Sequence, residues 1–270
     1  TTTSAGCCTP ASTACVPDSE LPSYLSVSDN RRAPADAAEA VYYHNDVFGS
    51  AILARIVASH LGERVLEVGA GAGFITRELA KRARHIVALE PTSGPHSQLE
   101  ENIASLPNVI AHQQTLKSFV GEGNRASQMM PAFDSVVYIN VLEHIGDDVA
   151  ELGLAKSALD SSGRVVIVVP AHQWLYSKVD RLTGHFRRYS KRSLRDVVQA
   201  AGLHVLDMRY FDTVGLIPYL VMYKWLRSTQ TDGANATVYS RLILPVSALL
   251  YRLSGGRLIG KNLIAVAVRS

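Results

Sequence analysis

The stretch "LEVGAGAGFITREL", residues 66–79, sets three glycines two apart behind an acidic residue and runs straight into a helical pattern. Gly69, Gly71 and Gly73 at that spacing suit a backbone that turns tightly and lies against a ligand. The run before them, "RVLEV" (64–68), reads as a strand buried on both faces. A dinucleotide loop of the form G-x-G-x-x-G needs its third glycine one residue later, where this chain has Phe74. A Walker phosphate loop needs G-K-[ST], which does not follow. Glu67, two residues ahead of Gly69, would repel a pyrophosphate and suits a ligand that carries a cation.

Outward from this motif, strand and helix patterns alternate with short connections. "HIVALE" (85–90), "NVIAHQQ" (108–114), "FDSVVYIN" (133–140) and "GRVVIVVP" (163–170) read as buried strands. Between them lie helical patterns over "GFITRELAKRAR" (73–84), "HSQLEENIASL" (96–106) and "GDDVAELGLAKSAL" (146–159), with another helix ahead of them over 36–60. That alternation calls for a doubly wound parallel α/β sheet covered on both faces, with its ligand at the carboxyl ends of the strands. Beyond Pro170 a polar, aromatic and basic connection leads to a helix (193–203) and a strand (204–212). Two apolar helical stretches, 214–226 and 242–253, are split by the polar loop 228–237, and "NLIAVAVRS" closes the chain as a last strand. The two late strands suggest an antiparallel hairpin at one sheet edge.

The chain has 270 residues, 47% of them hydrophobic and 19% charged, enough for one large globular domain with a sizeable core. A net charge of +3 is too weak to argue for nucleic acid, and no stacking platform accompanies the basic cluster at 187–195. The three cysteines, Cys7, Cys8 and Cys15, fit neither a zinc site nor a disulfide framework and read as reduced thiols of a cytoplasmic protein. Residues 1–33 read as a mobile tail and 34–270 as the folded domain, with 212–256 a helical insertion. Both apolar stretches of that insertion are shorter than the ~20 residues that span a bilayer. They are expected to cover the cleft or form a homodimer face, with contact at a membrane surface as the lesser alternative.

Glu90, at the end of the second strand, can accept both hydroxyls of a ribose. A ligand with a ribose and cationic groups points to S-adenosylmethionine (SAM). At these residues the chain resembles the class I SAM-dependent methyltransferases. "VLEVGAGAG" (65–73) and "VALEP" (87–91) are similar to that family's first motif and its acidic second-strand motif. "FDSVVYINVLEHIGDD" (133–148) and "LDSSGRVVIVVPAH" (159–172) resemble its fourth- and fifth-strand segments, and "NLIAVAV" (262–268) its seventh strand. An "LEH" motif followed by a segment such as "GHFRRYSKRSL" (184–194) is familiar among its small-molecule methyltransferases of bacterial secondary or envelope metabolism. The resemblance implies a seven-stranded sheet of order 3-2-1-4-5-7-6 with strand 7 antiparallel.

It also implies site residues. Glu67 and the backbone at Gly69 and Gly71 surround the amino-acid end of SAM, with Gly73 also counted as cofactor-binding, Glu90 grips the ribose, and Asn140 lies beneath the methionine portion. Where the family usually has an Asp at the adenine, this chain offers Gln114, Thr115 and Leu116. His144 reads as a general base for methyl transfer to an O or N nucleophile, as a helix cap, or, with Glu143 as in some quinol-related relatives, as part of a metal site. No metal ligand set is assigned, since Asp147 and Asp148 read as helix N-terminal charges. Ser190 reads as the cap of the next helix, and one arginine of its basic cluster as a partner for Asp180. Tyr43, His185 and Tyr189 are candidate acceptor-pocket residues, alongside ordinary packing. Transfer to carbon of a prenyl or other apolar acceptor, and an NAD-dependent oxidoreductase on a similar sheet, are the alternatives.

Overall fold

The computed structural model describes residues 47–121, 132–225 and 239–269. Residues 1–46, with the tail and Tyr43, lie outside the described residues, as does the loop 228–237. In chain order the elements are α1 (Val47–Ala58), β1 (Arg64–Val68), α2 (Phe74–Leu79), β2 (His85–Leu89) and α3 (Ser93–Ile103). There follow β3 (Val109–His112), α4 (Leu116–Val120), β4 (Phe133–Ile139), α5 (Asp148–Ala158) and β5 (Leu159–Pro170). The later elements are α6 (Lys178–Leu182), α7 (Lys191–Ala200), β6 (Leu203–Phe211), α8 (Leu216–Tyr219), α9 (Leu244–Ser254) and β7 (Asn262–Arg269).

The seven strands form one sheet in the order β3-β2-β1-β4-β5-β7-β6. The first five strands pair in parallel, while β7 is antiparallel to both β5 and β6. This is the class I methyltransferase sheet. Its apolar runs are continuous because both faces are covered. On β4, Val136 and Tyr138 join one core, while Val137 and Ile139 join the other. The first core is closed by residues of α4, α5 and α7, the second by residues of α1, α2, α3 and α9.

Helix α2 is shorter than the pattern over 73–84 suggested, ending at Leu79. Strand β5 is longer than expected, starting at Leu159. The register carries one functional consequence. Pro170, Asn262 and Phe211 stand in one row, so β6 ends at the same sheet edge as β1 to β5. The segment from β6 to β7 therefore rises from the carboxyl edge. It holds α8, a π-helical turn Leu220–Trp225, a second Tyr239–Ile243, and α9.

Candidate active site

Every residue that begins the site sits where a parallel strand ends. After β1 the chain crosses to α2 through Gly69, Gly71 and Gly73, all with positive φ (70°, 57° and 82°). That left-handed region is cheap for glycine and strained for other residues. Gly69 and Ala70 donate their N–H groups to the Leu89 carbonyl at 2.8 and 2.9 Å, which folds the loop over the end of β2. A Cβ on Gly69 would stand 2.5 Å from Val141 Cγ2, so this loop lies directly against the one that carries His144. A Cβ on Gly73 would meet Leu99 Cδ1 at 2.6 Å. Gly73, expected among the ligand contacts, thus lets α3 pack against the start of α2.

Glu90 Oε2 accepts the Gly71 N–H at 3.0 Å and Oε1 accepts the Thr92 N–H at 2.9 Å. The acid is thereby oriented by backbone while each oxygen keeps a further lone pair for a ligand. Glu67 follows the period of β1 onto the face of Val65, opposite Leu66 and Val68. It is only 3% exposed, and its Oε2 has no hydrogen-bond partner among the described residues. Burial pushes the Glu67 carboxyl up to about 7, against the pull of the Thr76 hydroxyl. Because the folded chain binds this proton more tightly, the group's contribution to stability is full below its ordinary 4.5 and is lost as pH rises through 7.

The expected adenine contacts divide. Gln114 is half-buried, just past β3, its N–H on the His112 carbonyl at 2.9 Å. Thr115 is instead the N-cap of α4, its hydroxyl accepting from Ser118 N–H at 3.2 Å. Leu116 is buried in the core with Phe119. Threonine ahead of a short helix is explained by capping, and leucine by packing. Asn140, at the tip of β4, takes φ 53° and donates its N–H to the Val168 carbonyl at 2.9 Å. Asparagine tolerates that conformation better than most residues.

After Asn140 a single 3₁₀ turn, Leu142–His144, exposes the His144 ring edge to His185, the ring centroids 4.5 Å apart at 84°. The long connection after β5 returns to pin this turn. Phe186 N–H donates to the Glu143 carbonyl (2.9 Å), an Arg187 guanidinium N–H to Gly146 (2.8 Å) and the Tyr189 hydroxyl to Leu142 (3.3 Å). Tyr189 is only 1% exposed and also donates to Asp148 Oδ2 at 2.7 Å. It braces the loop from within the core, as ordinary packing does. Asp147 caps α5 through Ala150 N–H at 2.9 Å, as a helix-terminal acid does. Asp148 is buried and pairs with Arg187 at 2.6 Å.

His185 is itself held. Its Nδ1 faces Asp180 Oδ1 at 3.1 Å, so the carboxylate accepts from Nδ1–H and Nε2 is the nitrogen turned away from Asp180. Asp180 is fully buried and answers the Arg188 guanidinium at 2.5 Å, with Tyr219 OH (2.9 Å), Ser177 OH (2.9 Å) and Ser177 N–H (2.7 Å) also donating to it. The expected pairing of one basic-cluster arginine with Asp180 is thus Arg188. A buried charge pair of this kind strongly destabilises the fold when one partner is removed. Glu143, His144 and His185 each offer one ligand atom, all within 4.8 Å of one another. That convergence is hidden in the sequence, where His185 sits inside a basic run.

Comparisons with known proteins agree with this fold. The profile of the methyltransferase domain family matches residues 42–207, more than half of the chain. The chain belongs to that family, and its cofactor is SAM. A ubiquinone biosynthesis O-methyltransferase of Aeromonas salmonicida is 23% identical over 160 residues, 54% of this chain and 65% of that protein. The alignment thus spans just under two thirds of that relative. The protein of the same name from Xylella fastidiosa is 26% identical over 208 residues, 71% of this chain and 82% of that one. Among solved structures, the CcbJ methyltransferase of Streptomyces caelestis superposes with a TM-score of 0.56 at 14% identity, covering 88% of this chain and 98% of its own. The 1,6-didemethyltoxoflavin-N1-methyltransferase of Burkholderia thailandensis gives 0.51 at 15% identity, over 90% and 93%. At such identities the structures support the shared fold alone.

Proposed function

We propose that this domain transfers the methyl group of SAM to an oxygen or nitrogen nucleophile of a small molecule, with His144 as the base. The observation that carries this reading is the buried Glu67 oxygen without a hydrogen-bond partner among the described residues, set at the same sheet edge as Glu90 and His144. A cationic amino or sulfonium group is what such an oxygen lacks. Bound SAM supplies an electrophilic methyl on sulfur. Glu67 would balance its charge, Glu90 would hold the ribose hydroxyls, and the glycine loop would let backbone approach the methionine part. His144 would take the acceptor's proton as the nucleophile attacks the methyl and the S–CH3 bond breaks, leaving S-adenosylhomocysteine (SAH). Positioning and exclusion of water carry much of the remaining rate enhancement.

An oxygen acceptor is favoured, since relatives at 21–26% identity are named O-methyltransferases. A phenolic or quinol hydroxyl of a secondary metabolite or envelope precursor fits that chemistry. Transfer to carbon is the variant within the class. The geometry also favours one second reading, in which Glu143, His144 and His185 hold a divalent ion. Such an ion would orient two acceptor oxygens and lower the pKa of a bound hydroxyl. The proposal is tested by calorimetric titration with SAM and NADH, then by transfer of labelled methyl to a panel of phenols, quinols and amines. Binding of SAM with turnover on an oxygen acceptor is the expected result; tight NADH binding with no response to SAM would replace it with an oxidoreductase.

The Glu67 carboxyl provides a pH prediction. With its pKa raised to about 7, an apo chain at lower pH must lose a proton before the oxygen can receive a cation. SAM affinity should therefore rise about tenfold between pH 6 and 8, with proton release on binding. Glu67→Gln should bind weakly at both pH values and flatten the dependence. An equally steep dependence in Glu67→Gln would assign the titration to another group.

A further inference from the structure

We infer that the segment between β6 and β7 docks the domain on an anionic lipid surface, with its catalytic edge turned toward the bilayer. One side of this segment is anchored to the sheet. Asp212 is fully buried at the end of β6. It accepts from Ser247 OH (2.8 Å), Gly215 N–H (3.1 Å) and the Tyr239 hydroxyl, and faces the Lys261 ammonium at 3.5 Å. That ammonium lies over the Tyr239 ring at 4.7 Å. Both arms of the segment are therefore fixed to one buried point.

The opposite side is apolar and open. Ile217, Val221 and Trp225 recur at steps of four, and Leu242, Val246, Leu249 and Leu253 at steps of four, three and four, so each set forms one stripe. With Leu258 and Ile259 they make up nine of the fourteen large hydrophobic side chains exposed among the described residues. Trp225 is 82% exposed and Leu253 76%. Such a concentration marks a surface that meets something else.

The charges identify the partner. Residues 213–225 and 239–260 contain no aspartate or glutamate, whereas Arg241, Arg252 and Arg257 are exposed. Leucine, tryptophan and arginine without acids suit the headgroup layer of an anionic bilayer. A second copy fits less well, because a two-fold contact sets the same patch, and the same arginines, against themselves. Among the described residues no helix is long and apolar enough to cross a membrane, so the contact is interfacial. Since the segment rises from the edge that bears His144, an apolar acceptor dissolved in lipid would reach the site without crossing water. This last step rests on the proposed methyl transfer; the docking does not.

The test is co-sedimentation of the full chain with vesicles of equal parts phosphatidylglycerol and phosphatidylcholine, and with phosphatidylcholine alone. Binding to the anionic vesicles, weakened by salt, is expected. Leu249→Glu with Leu253→Glu should lower partitioning by at least about tenfold, and Arg241→Glu with Arg252→Glu should abolish its salt dependence. Leu206→Glu, equally exposed but on β6, should change nothing. SAH affinity and melting temperature of each variant report folding and the state of the cofactor site separately, so failed docking with intact SAH binding overturns only the docking. No binding to either vesicle, or concentration-dependent dimerisation lost in Leu249→Glu with Leu253→Glu, would overturn it in favour of a self-contact or none.

Discussion

Gly71→Val is expected to lower SAM and SAH affinity by at least about 10²-fold while circular dichroism still reports the folded α/β domain. Gly71 has φ 57°, where a β-branched residue is a genuine outlier. Relief of that strain would swing the peptide and withdraw the N–H that orients Glu90 Oε2 at 3.0 Å. Two ligand contacts would then fail together, the close backbone and the ribose acid. Gly94→Val is the control, because a Cβ there meets nothing within 4 Å. Normal SAM binding in Gly71→Val would reduce the loop to a structural turn. Glu90→Ala, which removes only the acid, should be milder, at roughly 1.5–3 kcal/mol.

The sheet was readable because its strands are buried on both faces. "RVLEV", "HIVAL" and "VVIVV" carry continuous apolar runs, and the helices between them leave little freedom of handedness. Local sequence showed the glycine turn because positive φ dictates residue type at 69, 71 and 73, and it placed Glu67 and Glu90 at the ends of β1 and β2. Thr115 caps α4 and Leu116 packs in the core, two roles that their sequence position beside a strand end does not display. Tyr189 is the reverse case: an aromatic residue in a polar run looks exposed, yet it is buried. Nothing local says that its segment returns beside β5, where Tyr189 N–H bonds the Pro170 carbonyl at 2.9 Å.

The meeting of His144 with His185 was illegible for the same physical reason. It depends on long-range hydrogen bonds from residues 186–189 to the turn at 142–146, not on any periodicity. Its rigidity derives from Asp180 of α6, whose partners include Ser177 just ahead of that helix, His185 and Arg188 of the basic run, and Tyr219 of α8. Tyr219 ties this network to the β6–β7 segment, since the Arg188 guanidinium both bonds its hydroxyl at 2.5 Å and lies 4.5 Å from its ring centroid. The insertion and the candidate base therefore share one buried polar framework.

His144→Ala should cut turnover by roughly 10²–10⁴-fold and leave SAH affinity unchanged. The ring stands past β4 at the carboxyl edge, with the His185 ring 4.5 Å away, where the proposed reaction would bring methyl donor and acceptor together. His144→Gln separates the roles. An amide fills the space and accepts a hydrogen bond but takes no proton, so a base predicts equal loss in both variants. Retention of most activity in His144→Gln would leave the residue an orienting role. The ion reading has its own signature in the wild-type protein, namely loss of turnover on chelation and recovery with a divalent ion. Glu143→Gln and His185→Ala would then fall as far as His144→Ala, whereas a lone base predicts that chelation does nothing. Because His185 Nδ1 is committed to Asp180, its loss under the base reading should shift the position of His144 and lower turnover only partly.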